Sequence, residues 1–365
     1  MRDIRYAHIS LLPTCSVGIV NKLDGCAQDA IERGLPVDYL IIAPRNSAPS
    51  FEGFDAVKVL FVDADSRLAI RFAQFRVLKG LLMHYTGVVL RYPGADLGPL
   101  VLGCRLGNCI AEHHTLFIQE QSQSSLIRAN IERFLGAIWL SCFYGHIAVT
   151  DQILDDVLSR ARFAKTFGIK RVLPNPYKFS SFYREGSFKK KETYTGVVSA
   201  SSFMLWHGLD RIINMFRAYD GGRFKLLVVG DSTAVTATIS NLDALSVVEF
   251  ISRKTKIELS DIYNGCDFAF NSFGLDRLDM SVGSTLKLRE YFDFSLPVIS
   301  PMRDSGLPLN FDFLYTENMS LNSIADYLDG LDGVPLADIK QCAQKYLGVE
   351  AFNDAIGSLW DRVEL

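Results

Sequence analysis

Phe268-Ala-Phe-Asn271-Ser272-Phe-Gly-Leu-Asp-Arg277-Leu-Asp-Met-Ser-Val-Gly283-Ser284-Thr285-Leu286-Lys287-Leu-Arg289-Glu290-Tyr-Phe292 is the stretch on which the fold turns. Phe268–Asn271 is an apolar run of strand length, a polar glycine-containing loop follows, and Gly283-Ser284-Thr285 opens a segment of helical period. A strand that feeds a helix through such a loop is half of a βαβ unit. The loop leaves the strand's carboxyl end, where doubly wound sheets place their ligand crevice. A helix beginning there presents free backbone N–H groups and the positive end of its dipole.

Working outward, the same alternation runs through most of the chain. Upstream strand candidates are Arg5–Leu12, Val37–Ala43, Val57–Val62, Gly87–Tyr92, Leu116–Gln119, His146–Thr150 and Arg171–Leu173. Between them lie helical segments Val20–Arg33, Ser66–Met83 and Asp151–Phe167, the first and last closed by Gly34 and Gly168. Residues 174–193 break the pattern with Pro, Ser and the Lys189-Lys-Lys191 run, which reads as a solvated linker. The alternation restarts with strands Thr195–Ala200, Phe224–Gly230, Val247–Ile251, Phe268–Asn271, Pro297–Ser300 and Phe313–Tyr315, and helices Leu205–Tyr219, Glu258–Asn264 and Ser284–Phe294. Asp338–Val363 reads as helical and carries Trp360. The expected division is a first domain over 1–173, a linker over 174–193, a second domain over 194–347, and a terminal helix over 348–365 returning toward the first domain. Both domains are expected to be α/β, Rossmann-like and doubly wound, facing a central cleft.

The 365 residues suffice for two cores. A net charge of −3, from 38 basic and 41 acidic residues, leaves no electrostatic footprint for nucleic acid. The seven cysteines (Cys15, Cys26, Cys104, Cys109, Cys142, Cys266, Cys342) form no C-x-x-C pair, which suits a reducing compartment. Met1–His8 has no apolar signal core, and the apolar stretch 134–149 is shorter than the roughly 20 residues of a membrane span. A cytoplasmic protein is expected.

Lys287 and Glu290 fall about 60° apart on their helix, with Leu288, Tyr291 and Phe292 on the packing face and Arg289 far around from Lys287. Two readings follow from this spacing. A phosphate at the helix start, Lys287 above it and Glu290 on ribose hydroxyls would hold a nucleoside diphosphate. Alternatively, this is an amphipathic helix with a surface ion pair worth a few tenths of a kcal/mol, by the ~0.2–0.5 kcal/mol of such pairs.

Thr285-Leu-Lys287-Leu-Arg289-Glu290-Tyr with Leu296-Pro297-Val-Ile resembles the LK-x-RE-Y signature of GT-B glycosyltransferases that build bacterial surface polysaccharides. Leu205-Trp206-His207-Gly208-Leu209-Asp210-Arg211 is similar to their W-H-G-x-D-R motif, and Phe273-Gly-Leu-Asp-Arg277 to their LG-x-x-R loop. Val17-Gly18-Ile-Val-Asn-Lys22 resembles the glycine turn after their first strand; Val89–Pro93 and Glu112-His113-His114 fall at further strand ends. The resemblance implies that Glu290 binds donor ribose, that Lys287 and Arg277 neutralise the diphosphate, and that Ser284, Thr285 and Leu286 line it. His207 and Arg211 stand on the donor side, and Gly18 lets backbone approach the phosphates. Val282 occupies the position of a second glutamate found eight residues earlier in the broader retaining family, and Ser199 and His207 sit where a common Arg and Lys belong.

Adjacent strand side chains point to opposite faces, so Glu112-His113-His114 is not expected to hold a metal. Glu112 or His113 is expected as an acceptor-side catalytic base, a hydrogen-bonded strand-end histidine being the alternative. Trp206 reads as core more readily than as a sugar platform. Helix 122–142, with Arg128 and Arg133 among Leu, Ile, Phe and Trp, reads as a core helix, or as a membrane-surface helix receiving a lipid-linked acceptor. The expected activity is transfer of a sugar from a nucleotide-diphosphate donor to a glycan or lipid-linked glycan, with retention and without metal or other cofactor. Its location would be the cytoplasm, at the inner membrane face when the acceptor is lipid-linked. The rivals are a non-hydrolysing nucleotide-sugar epimerase and a non-catalytic nucleotide- or glycan-binding protein.

Overall fold

The computed structural model describes residues 6–13, 16–95, 98–103, 106–161, 168–200, 203–219, 221–231, 246–252 and 254–360. Residues 1–5, Cys15, Cys104, the end of the expected helix 151–167, and 361–363 of the expected terminal helix lie outside them. The chain divides into unit 1, Met1–Lys178 with Gly348–Leu365, and unit 2, Phe179–Leu347.

Unit 1 is built from β1 (Tyr6–Leu11), α1 (Val17–Glu32), β2 (Val37–Pro44), β3 (Lys58–Val62), α2 (Arg67–Leu81), β4 (Gly87–Arg91), α3 (Gly98–Leu102), β5 (Cys109–His113), α4 (Phe117–Ser124), α5 (Leu126–Leu140), β6 (Gly145–Ala148), α6 (Asp151–Arg160) and β7 (Ile169–Val172). Its strands form, within the described residues, a seven-stranded parallel sheet in the order β3-β2-β1-β4-β5-β6-β7. The strands run as near-continuous buried apolar stretches, as parallel strands covered on both faces do. Along α1, Val20, Leu23, Ala27 and Ala30 recur at helical spacing and are buried, and Gly34 follows at a left-handed φ of 64°.

Unit 2 repeats the plan with β8 (Tyr194–Ser199), α7 (Leu209–Arg217), β9 (Phe224–Gly230), β10 (Val248–Ser252), α8 (Lys256–Asn264), β11 (Phe268–Phe270), β12 (Val282–Gly283), α9 (Leu286–Asp293), β13 (Val298–Ile299), β14 (Arg303–Asp304), β15 (Leu314–Tyr315), α10 (Leu321–Gly330) and α11 (Leu336–Leu347). Its main sheet, six-stranded among the described residues, runs β10-β9-β8-β11-β13-β15, and β12 pairs with β14 beside it. In both sheets the winding reverses beside the first strand, at β1/β4 and at β8/β11. The last helix, α12 (Val349–Trp360), returns to unit 1 and packs on α1. It buries Val349, Phe352, Ile356 and Leu359 there, and Asn353 donates to the Cys26 carbonyl and to Asp29.

Three sequence expectations are corrected. Leu116–Gln119 is not a strand: the strand is β5, and Phe117 opens α4, a short apolar run being compatible with either period. Ser284 does not begin a helix, because Val282-Gly283 pairs with Arg303-Asp304, and Thr285 caps α9 from outside. The lysine run is exposed as expected, with Lys190 and Lys191 also pairing at the surface with Asp329 and Asp267. Segment 122–142 is broken at Ser125, and α5 is not a core helix over most of its circumference: Ile127, Ile131, Phe134, Leu135 and Ile138 form an exposed apolar stripe along it.

Candidate functional site

The residues of interest in unit 2 gather where β8 and β11 release their chains, at the reversal of that sheet. Thr285 Oγ1 donates to Asn271 Oδ1 at 2.9 Å and accepts the Leu288 N–H, tying the start of α9 to the end of β11. Arg289, fully buried, forks onto Asp304 at 2.5 and 2.8 Å and reaches Ser284 Oγ and the Thr285 carbonyl. Its role is therefore to brace the turn from inside. One helical turn on, Lys287 Nζ lies 2.8 and 3.0 Å from the two Glu290 carboxylate oxygens and donates to Tyr263 Oη at 3.2 Å. Tyr263 in turn donates to Glu290 Oε1 at 2.9 Å, and its hydroxyl lies 2.6 Å from Ser199 Oγ at the end of β8. Burial first, and then the Glu290 charge, push the Tyr263 phenol well above its ordinary pKa, so it remains a donor. About a quarter of the Lys287 and Glu290 side-chain surface stays exposed, leaving both ends of the pair open to a ligand.

The two motif loops, 205–211 and 273–277, are laced together. Phe273 N–H donates to the His207 carbonyl and Gly274 N–H to the Trp206 carbonyl. Gly208 makes this possible: its φ is 65°, and a Cβ there would sit 2.4 Å from the Phe273 carbonyl carbon. The pairing of charges is crossed. Arg277 forks onto Asp210 at 3.0 and 2.6 Å, and Arg211 forks onto Asp276 at 2.7 and 2.8 Å. Each guanidinium also caps a carbonyl of the opposite loop, Leu205 for Arg277 and Phe273 for Arg211. The hydrogen bonds from Arg277 hold the Asp210 carboxyl below its usual range, and those from Arg211 do the same for Asp276. Both arginines thus meet carboxylates. His207 Nδ1 accepts the Met204 N–H at 2.8 Å, which puts the ring proton on Nε2; burial, with a smaller contribution from the Lys287 charge, lowers its pKa and keeps it neutral. Trp206 is half-buried against His207.

In unit 1, Gly18 is not in a turn: it lies exposed in the first turn of α1, and Lys22 one turn on is buried. Glu112, 2% exposed, receives Lys22 Nζ at 2.9 Å and His8 Nε2 at 3.0 Å, with His114 Nε2 2.9 Å away. Burial alone would raise the Glu112 carboxyl, but His114, Lys22 and His8 together hold it well below its ordinary range. His113, also 2% exposed, points to the other face of β5 and lies 3.1 Å from His146 Nδ1. Because His146 Nε2 must donate to the Leu140 carbonyl at 3.1 Å, its Nδ1 accepts, and His113 Nε2 carries a proton toward it. Burial, followed by the neighbouring His146 and Arg160, pushes the His113 imidazole well below its ordinary pKa. His113 and His114, with Leu12, Arg91 and Tyr92, line a cavity of about 810 Å³ at the β1/β4 reversal. Among the described residues no cluster of three or more His, Cys, Asp or Glu side chains has metal-binding geometry.

The structure therefore brings Thr285, Lys287 and Glu290 together, sets Arg277, Arg211 and His207 in the adjoining laced loops, and keeps Gly18, Glu112 and His113 in unit 1. Tyr263 was not singled out by sequence, and Asp210 and Asp276, which stand inside the two motifs, were given no role there. Tyr263 sits 27 residues before Glu290 in another helix, so no local periodicity could join them.

In sequence, no family model matches the chain and no curated protein is similar to it. In three dimensions it is similar to Anabaena Alr3699/HepE in complex with UDP-glucose (TM-score 0.63, 12% identity, covering 98% of this chain and 100% of that one). A glycosyltransferase from Rickettsia africae aligns with TM-score 0.62 at 12% identity over 99% of each chain. WaaG, a glycosyltransferase involved in lipopolysaccharide biosynthesis, aligns with TM-score 0.58 at 14% identity, covering 96% and 99%. This chain has the two-unit α/β fold of GT-B glycosyltransferase structures.

Proposed function

We propose that the protein is a glycosyltransferase that takes its sugar from a nucleotide-diphosphate donor bound in unit 2. The observation that carries this reading is the Lys287–Glu290–Tyr263 cluster beside the Thr285-capped start of α9, at the reversal of a doubly wound sheet. Its parts match the parts of the ligand. Free N–H groups at the α9 start, beginning with Leu286, suit phosphate oxygens, and a carboxylate suits a ribose diol. Ribose hydroxyls arriving at Glu290 would take over the oxygens that now receive Lys287, turning the ammonium toward the diphosphate. Arg277 and Arg211, each forked onto an aspartate, act in this reading by fixing the loops that carry His207.

In the transfer, the bond from the sugar's anomeric carbon to the diphosphate breaks and a bond to an acceptor hydroxyl oxygen forms. Lys287 and the α9 N–H groups stabilise the negative charge that grows on the leaving diphosphate, without a metal. Glu112 is ion-paired to Lys22, and His113 is a weak base in its buried site, so neither is suited to take the acceptor's proton. The departing diphosphate oxygen takes it instead, which fits the retention that the sequence resemblance implies. The acceptor is a glycan or lipid-linked glycan, received on the unit 1 side. Incubation with a panel of nucleotide sugars tests the reading: slow release of one nucleoside diphosphate, accelerated by a glycan acceptor, is expected. Interconversion of two nucleotide sugars would instead identify an epimerase, and no turnover of any of them a binding protein.

A further inference from the structure

Three buried hydroxyls stand in line behind Glu290, each on a different element. Ser199 ends β8, Tyr263 lies in α8 and Tyr291 in α9, and all three side chains are buried. Their partners fix which way each proton points. Tyr291 Oη accepts the Ser199 N–H at 2.9 Å, and its own proton has one acceptor among the described residues, Ser199 Oγ at 3.2 Å. Tyr263 gives its proton to Glu290 Oε1, so in the 2.6 Å contact between Ser199 and Tyr263 it is Ser199 that donates. The order is therefore Tyr291 to Ser199 to Tyr263 to Glu290, with every proton directed toward the carboxylate. Burial raises the pKa of both phenols, so neither loses its proton. The Tyr263 ring is held edge-on by Tyr291 and Phe294, with centroids 5.5 and 5.1 Å away.

We propose that Tyr263, backed by Ser199 and Tyr291, is a positioning residue that keeps Glu290 aimed at a ribose diol, and so makes the site select ribonucleotides over 2′-deoxyribonucleotides. This rests on the ribose role of Glu290 given above. Lys287 cannot hold Glu290 and meet a diphosphate at once. When the ammonium turns to the phosphates, Tyr263 is the one remaining side chain, among the described residues, that restrains the carboxylate. Its bond engages Oε1 alone, which leaves Oε2 and the second lone pair of Oε1 to the two ribose hydroxyls. A glutamate without that restraint would sample its rotamers, and the diol would have to order it on binding.

Calorimetric titration of UDP, GDP and their 2′-deoxy forms into the full chain and its variants tests this. The unaltered chain is expected to bind at least one ribonucleotide about tenfold or more tighter than its deoxy form, the size of one hydrogen bond to a charged group. Glu290→Ala should bring that ratio to about one, since the group that reads the diol is gone. Tyr263→Phe keeps the ring packing and should lower the ratio at least about threefold; Ser199→Ala, which cuts the link to β8 and touches neither ring, should lower it about twofold. A purely structural role would lower the melting temperature and weaken both forms alike, leaving the ratio as it is in the parent. An unchanged ratio in a folded Tyr263→Phe or Ser199→Ala variant, with the ratio lost in Glu290→Ala, would overturn the proposal and leave the ribose role of Glu290 standing. Equal binding of ribo and deoxy forms by the unaltered chain, or binding of neither, would overturn both.

Discussion

Replacing Arg277 with alanine separates two roles that the sequence could not separate, loop clasp and phosphate cation. In the structure its guanidinium makes two bonds to Asp210 and one to the Leu205 carbonyl, with 26% and 34% of the two paired side chains exposed. A fully exposed pair contributes about 0.2–1 kcal/mol, and fork geometry with partial burial places this one at the upper end or slightly above. Arg277→Ala should therefore destabilise unit 2 by about 1–2 kcal/mol, and Asp210→Asn by about 1 kcal/mol. The double variant should be little worse than Arg277→Ala, giving a coupling of about 1 kcal/mol. Arg211 and Asp276 are more exposed, at 41% and 54%, and their coupling should be nearer 0.5 kcal/mol. Urea denaturation followed by circular dichroism, taking the transition of unit 2, supplies the cycle; nucleotide titrations of the same variants complete it. Unchanged stability in Arg277→Ala together with tighter nucleotide binding in Asp210→Asn would instead make Arg277 a phosphate ligand restrained by its aspartate.

Glu112→Gln should cost about 3–5 kcal/mol of unit 1 stability by leaving Lys22 buried without its counter-charge, and a folded, fully stable but inactive variant would restore Glu112 to catalysis. Burial depresses His146 to about 4 and His114 to about 3. Unfolded histidine titrates near 6.5, so the native state binds fewer protons below that pH, and stability present above it is lost as pH falls toward 4. His146 alone accounts for about 3 kcal/mol of this loss; His146→Gln should flatten the denaturation midpoint between pH 6.5 and 4, and an unchanged profile would count against its burial as the cause. Phe352→Ala should destabilise unit 1 by about 3–5 kcal/mol while leaving the nucleotide affinity of unit 2 intact, as checked by melting and calorimetry. Sugar transfer should survive chelation, and activity abolished by EDTA and restored by Mg²⁺ would contradict charge stabilisation by Lys287 and the α9 N–H groups.

The alternation of strand and helix was legible because buried parallel strands are written as unbroken apolar runs: Phe224–Gly230 reads from sequence with the bounds of β9. Where an apolar run was short, as at Leu116–Gln119, the period could not choose between strand and helix. The α5 stripe was misleading for a different reason. Apolar residues at helical spacing announce a face but not whether the rest of the chain covers it, and here Glu132 turns inward while Phe134 turns out. Within the candidate site, Lys287 and Glu290 were visible because they lie one turn apart on one helix. The partners that define the site electrostatically lie far away in sequence: Asp210 is 67 residues from Arg277, and Lys22 is 90 from Glu112. Only the folded sheet order brings these together.

In the proposed function a nucleoside diphosphate sits at the start of α9, its ribose on Glu290. Isothermal titration of UDP and GDP into the unaltered chain and into Glu290→Ala measures this directly. Saturable binding of at least one nucleotide is expected. The variant should lose about 2–3 kcal/mol, roughly 30- to 150-fold, since two charge-assisted hydrogen bonds disappear. The variant should melt within a degree or two of the parent, because the Lys287–Glu290 pair is partly exposed and contributes about 1 kcal/mol at most. Equal affinity in a folded Glu290→Ala variant would contradict the claim.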